Sequence, residues 1–131
     1  MYKVAVVGSR RFTDYLFMRS ALDARKDKIG MIVSGGAKGA DTLAQRYAKD
    51  NGIPIYIIYP EYDMYGRGAP LRRNVTIANL AEYMIAFGYP DSRGTRHVVN
   101  KMKDLNKPYI FIQISGSGFG IETNQIDFKD Q

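Results

Sequence analysis

The sequence predicts an α/β domain, a doubly wound parallel sheet of about five strands between two layers of helices. Three observations predict it. Short apolar runs at Lys3–Val7, Ile29–Val33, Ile53–Tyr59, Tyr83–Phe87 and Tyr109–Ile114 read as buried strands. Segments of helical period lie between them. The length of 131 residues fits one domain with its own core.

Each element has a local reason. The first strand stops at Gly8-Ser9, and Thr13 or Asp14 then offers an N-cap for a helix running to Lys28, with Phe17, Met18, Ala21 and Leu22 on one face. The second strand ends at Ser34-Gly35-Gly36. Ala40, Leu43, Ala44, Tyr47 and Ala48 then form an apolar stripe, which Asn51-Gly52 terminates. Pro54 opens the third strand and Pro60 follows it. Residues 61–70 are rich in Tyr and Gly without a period, so they read as a loop at the edge of the sheet. Leu71, Val75 and Ala78 predict a helix after it. Gly88 closes the fourth strand, and a helix from about Thr95 to Leu105 turns Val98, Met102 and Leu105 inward. Gly116–Gly120 reads as a linker. Whether Ile121–Phe128 adds an edge strand or packs as an arm is left open. Strands alternating with helices mean right-handed βαβ units. The expected architecture is a single three-layer Rossmann-like domain over residues 1–114, strand order 3-2-1-4-5, with a tail over 115–131.

Composition narrows the function classes. The absence of Cys rules out a disulfide framework or a Cys-based zinc site, and a single His rules out a His-rich one. A Mg²⁺ carried in with a phosphate ligand stays compatible. No apolar run reaches the length of a membrane span, so the expected location is the cytoplasm. The net charge of +6 favours anionic partners, although a solubility bias alone gives the same sign.

In open α/β sheets ligands sit beyond the C-terminal strand ends. Three loops fall there: Gly8-Ser9-Arg10-Arg11, Ser34-Gly35-Gly36-Ala37-Lys38-Gly39 and Gly88 to Thr95. The glycine-rich loop lets the backbone approach a ligand, and the N–H groups of the following helix point at an anion. It matches neither a Walker A loop nor a strict G-x-G-x-x-G. Asp41 can cap that helix, the commoner use, or accept from a ribose hydroxyl. Ser9 and Arg10 suit a phosphate. Arg73-Asn74 opens the third helix, and Ser92, Gly94 and Thr95 form a second anion site at the start of the last one. His97 reads as a packing or surface residue. Arg10, Arg11, Lys38, Arg72, Arg73, Arg93 and Arg96 all fall near this edge, whereas most lysines fall near helix C-termini, where the dipole explains them.

Taken together, Gly8-Ser9-Arg10-Arg11-Phe12-Thr13-Asp14, Ser34 through Ala44, Arg73-Asn74 and Ser92 through His97 resemble the YspA-like branch of the SLOG superfamily over roughly residues 3 to 114. That superfamily includes the Lonely Guy cytokinin-activating enzymes, the Rossmann domain of DprA and nucleotide-sensing domains. The resemblance implies that Gly35, Gly36 and Gly39 receive the phosphate or ribose end of a ligand beside Ser9 and Arg10. It also implies a homodimer. Gly94-Thr95 matches the Gly-Thr of the Lonely Guy motif Pro-Gly-Gly-x-Gly-Thr-x-x-Glu, and Arg73 falls where those enzymes place an arginine for N-glycosidic cleavage. Val98 stands where the motif needs its glutamate.

The leading expectation is therefore a sensing or sequestering module for a nucleotide or nucleotide-derived ligand. The alternative is a hydrolase of N-glycosidic or phosphoanhydride bonds using Arg73 with Asp41 or Asp91. A third reading is single-stranded nucleic acid binding, with Tyr59, Tyr62 and Tyr65 as stacking surfaces.

Overall fold

The computed structural model describes residues 1–124. Five parallel strands, β1 (Tyr2–Gly8), β2 (Ile29–Ser34), β3 (Ile55–Ile57), β4 (Tyr83–Gly88) and β5 (Tyr109–Ser115), take the expected order. A sixth, β6 (Gly118–Thr123), joins antiparallel to β5, giving 3-2-1-4-5-6. β1 lies between β2 and β4, with Ala5 opposite both Val33 and Met84. The chain crosses from one side of β1 to the other between β3 and β4, so a crevice opens beyond Gly8 and Gly88.

The helices are α1 (Tyr15–Asp23), α2 (Ala40–Asp50), α3 (Tyr62–Tyr65), α4 (Ala69–Leu80) and α5 (Arg93–Asp104). α1 and α2 cover one face, where Met18, Leu22, Ala44 and Tyr47 bury against Val4, Val6, Ile32 and Ile85. α4 and α5 cover the other, where Ile77, Ala78, Val98, Val99 and Met102 bury against Ala5, Val33, Met84 and Phe111. Each central strand must serve both cores, which is why its residues are apolar without alternation. Asp14 caps α1, its Oδ1 accepting from the Phe17 N–H at 3.0 Å. No helix of the described residues is long and apolar enough to cross a membrane.

Several expected boundaries move. α1 stops at Asp23, and a 3-10 turn over Lys26–Lys28 completes the crossover. β3 is only three residues long: it is an edge strand paired to β2 alone, and Pro54 lies just before it. The 61–70 segment carries α3, a 3-10 turn at Gly66–Gly68 and the first residues of α4. Pro70 sits in the first turn of α4, where its missing N–H costs nothing. Leu105 is exposed rather than inward, since α5 ends one residue earlier. The glycine run at 116–120 is no linker: it makes the β5–β6 turn and the start of β6. The edge strand left open for 121–128 is thus found at Gly118–Thr123, and residues 125–131 lie outside the described part.

Two side chains tie the elements together. Glu122 on β6 takes a bidentate pair from Arg96 of α5 at 2.7 and 2.8 Å and a bond from the Tyr109 hydroxyl. Lys107 donates its ammonium to the carbonyls of Ala78, Asn79 and Ala81 at 2.8–2.9 Å. A cation at the carbonyl-rich end of α4 is where the helix dipole favours it.

Candidate functional site

A cleft of about 900 Å³ opens at the C-terminal ends of β1 and β4, within the usual size of ligand pockets. Gly8, Ser9 and Arg10 line it from the β1–α1 turn, and Gly36, Ala37, Lys38 and Asp41 from the β2–α2 turn. Arg73 and Asn74 line it from α4, and Ser92, Gly94 and Thr95 from the start of α5. Of the remaining expected residues, Ser34, Gly35, Gly39 and Gly88 stand behind this wall. Ser34 donates its hydroxyl to the Val6 carbonyl at 2.7 Å, a bond internal to the sheet.

The glycine-rich turn is built around Asp41. Gly39, not Asp41, occupies the N-cap position of α2, at φ 74° and ψ −125°. A Cβ there would meet the backbone of Ser9 and Arg10, so only glycine lets the two turns touch. Across that contact the Ser9 carbonyl accepts from the Ala40 N–H at 3.1 Å. Asp41 reaches back instead of capping forward: its Oδ2 accepts from the Ala37 N–H at 3.1 Å. Its Oδ1 is buried without a hydrogen-bond partner.

Arg73 approaches the same turn from α4. Its Nη1 donates to the Gly35 carbonyl and its Nε to Asn74 Oδ1 at 3.0 Å. A Cβ on Gly35 would lie 2.6 Å from Nη1 of Arg73 and 2.8 Å from Oδ2 of Asp41, so glycine lets the two charges converge. Burial pushes the Asp41 carboxyl up, opposed by the Ala37 N–H and by Arg73. Burial likewise pushes Arg73 down, opposed by Asp41. A guanidinium nevertheless stays charged, and Asp41 is its nearest counter-charge.

The start of α5 is arranged differently. Ser92 spends its hydroxyl on the Tyr89 N–H at 2.9 Å. No side chain caps the first turn of α5 and no acidic residue stands in it. The positive end of this helix therefore faces the cleft unneutralised.

Asp91 is exposed and paired with Arg11 at 2.8 Å, and Arg11 also stacks over the Tyr89 ring. Among the described residues no group of three His, Asp or Glu side chains is placed to hold a metal. Of the two carboxylates lining the cleft, Asp41 accepts from the Ala37 N–H through Oδ2 and Asp91 pairs with Arg11. Val98 is almost wholly buried and lines the floor of the cleft with an apolar side chain. Arg96 does not line the cleft, since Glu122 holds it on the β6 side, and Arg72 stacks over Tyr65. Sequence reasoning missed the apolar lining by Pro60, Pro70, Leu71 and Ile77, and the contact of Asn74 with His97. The aperiodic 61–70 segment hid the former, and the latter depends on how two helices cross.

Residues 2–65 match the protein family described as YspA, cpYpsA-related SLOG family. The Gene 61 protein of Mycobacterium phage D29 is 29% identical over 119 residues, covering 84% of this chain and 95% of that protein. The X-ray structure of DNA processing protein A from Streptococcus pneumoniae superposes with a TM-score of 0.72 at 23% identity, over 86% of this chain. This chain spans 50% of that one, and the likeness establishes the fold.

Proposed function

The chain belongs to the SLOG superfamily, in its YspA-related branch, and we propose that it binds a nucleotide or nucleotide-derived ligand in this cleft, as a sensing or sequestering module. The charge of the lining carries the reading. Arg10, Arg11, Lys38, Arg73 and Arg93 face the cleft against only Asp41 and Asp91, both already engaged. The uncapped start of α5 and the Arg73 guanidinium receive the phosphate end. Tyr59 and Tyr62 at the rim offer a face to a base. A cytoplasmic homodimer belongs to the same reading, and sedimentation tests the dimer.

Mass spectrometry of co-purifying small molecules, followed by a thermal-shift screen across nucleotides and cyclic nucleotides, tests the ligand. Arg73→Ala is expected to weaken the hit about a hundredfold, as loss of a charged hydrogen bond to an anion does. Unchanged affinity rejects the assignment of Arg73.

Binding without turnover is preferred because no exposed, unpaired carboxylate accompanies Arg73: Asp41 is 4% exposed, Asp91 is paired, and Val98 is apolar. Conversion of nucleoside monophosphates to base and ribose phosphate at enzyme-like rates overturns that preference in favour of a hydrolase. The exposed tyrosines Tyr59, Tyr62 and Tyr65 beside the basic cleft favour a second reading, single-stranded nucleic acid. Oligonucleotide affinity falling steeply with salt supports it, and no binding at low salt removes it.

A further inference from the structure

We propose that His97 is a positioning residue for Arg73, acting through Asn74, and that its neutral ring keeps the guanidinium on Gly35. α4 and α5 pack side by side behind the cleft and bring Asn74 Nδ2 to 3.4 Å from His97 Nδ1. Asn74 Oδ1 accepts from Arg73 Nε, and Arg73 Nη1 donates to the Gly35 carbonyl. Three bonds thus run in series from α5 to the β2–α2 turn.

Their directions are fixed by chemistry. A guanidinium only donates, so the amide oxygen of Asn74 must face Arg73. The amide nitrogen then faces His97 and has protons to give. Nδ1 must accept, which places the ring proton on Nε2. Protonating Nδ1 sets donor against donor. Turning the amide over moves the same conflict to Arg73 Nε, and Asn74, at 8% exposure, is too buried for water to resolve it.

The surroundings favour the neutral ring. Its own helix contributes Arg93, Arg96, Lys101, Lys103 and Asp104. α4 contributes Arg72 and Arg73, and β1 only Lys3. β4 and β5 carry no formal charge, and Glu122 of β6 is held by Arg96. Burial first, and Lys101 second, hold the His97 ring below its ordinary pKa. The effect on ligand affinity rests on the cleft being the ligand site, whereas the bond series does not.

The test is NMR of the arginine Nε–H protons, with Arg73 assigned through Arg73→Lys and the single histidine titrated through its own ring signals. In the unmodified protein, protection of the Arg73 Nε–H is expected to fall about tenfold from about pH 8 to about pH 5, with the midpoint of His97. His97→Asn presents an acceptor oxygen near the place of Nδ1 at every pH, so protection should persist. His97→Ala should lack it throughout. Protection that ignores the His97 titration, or falls equally in His97→Asn, overturns the proposal. Affinity for 5′-AMP is measured in parallel. Its phosphate titrates in the same range, so the comparison is between the two proteins. The unmodified protein should lose about tenfold more affinity than His97→Asn on acidification. Equal losses overturn the positioning role. The expected NMR result without AMP binding keeps the positioning role and tells against AMP as the ligand.

Discussion

Two helices begin at one cleft without a side-chain cap, and their first turns differ in charge and in backbone contact. At α2 the Ala37 N–H of the turn is bound by Asp41 and the first helical N–H, that of Ala40, by the Ser9 carbonyl, and the Asp41 carboxylate stands in the first turn. At α5 nothing caps the first turn, and the one hydroxyl placed to do so bonds to Tyr89 instead. The glycine-rich turn, the more conspicuous in sequence, answers a packing demand. The plainer Ser92-Arg93-Gly94-Thr95 leaves the helix end open. Abundant glycine therefore marks where backbones meet, and an anion needs donors that nothing else has claimed.

The sharpest way to break this contrast is Gly39→Ala. It forces a side chain into a left-handed backbone against Ser9 and Arg10, and should cost about 3 kcal/mol in urea unfolding. An unchanged midpoint would show that the α2 turn is not a packing device. Gly94→Asp should separate stability from binding. A Cβ at Gly94 meets nothing within 4 Å. A carboxylate in the first turn of α5 should raise stability by about 0.5–1 kcal/mol while weakening an anionic ligand about thirtyfold. Both quantities moving the same way would deny that the open helix end receives the ligand.

The smallest effect concerns the far side of α5. The Arg96 bond holds the Glu122 carboxyl below its ordinary value. A depressed carboxyl contributes stability that is present above the unfolded value of about 4.5 and is lost as pH falls through the folded one. Arg96 and Glu122 are 37% and 32% exposed, so screening limits the pair to about 1 kcal/mol. Glu122→Gln should remove the corresponding acid-side loss in a pH series of thermal melts, and an unaltered profile would place it elsewhere.

Much of this arrangement is legible in sequence, and the exceptions share a cause. The five parallel strands announce themselves because strands buried on both faces are apolar throughout. Their ends are marked by Gly8, Ser34 and Gly88. Asp14 is legible as a cap because a cap is local. β6 is not, since its strand character comes from pairing with β5, from Phe119 against Phe17 and from Glu122 on Arg96. Arg96 counts as a cleft residue by position in the chain, but its helix turns it toward β6. The role of Asp41 depends on Arg73, which lies far along the sequence and meets it only across Gly35.

Lys107 gives α4 a mechanical property. Its three carbonyl bonds pin the end of the helix at Ala78–Ala81, whereas the other end begins at the exposed Gly66–Gly68 turn. Arg73 stands about 10 Å from the pinned end, at the usual helical rise. A swing of about 10° about that pivot would carry it about 2 Å, enough to part a hydrogen bond. The bond to Gly35 is then the latch of a lever whose fulcrum is a lysine on the opposite side of the domain.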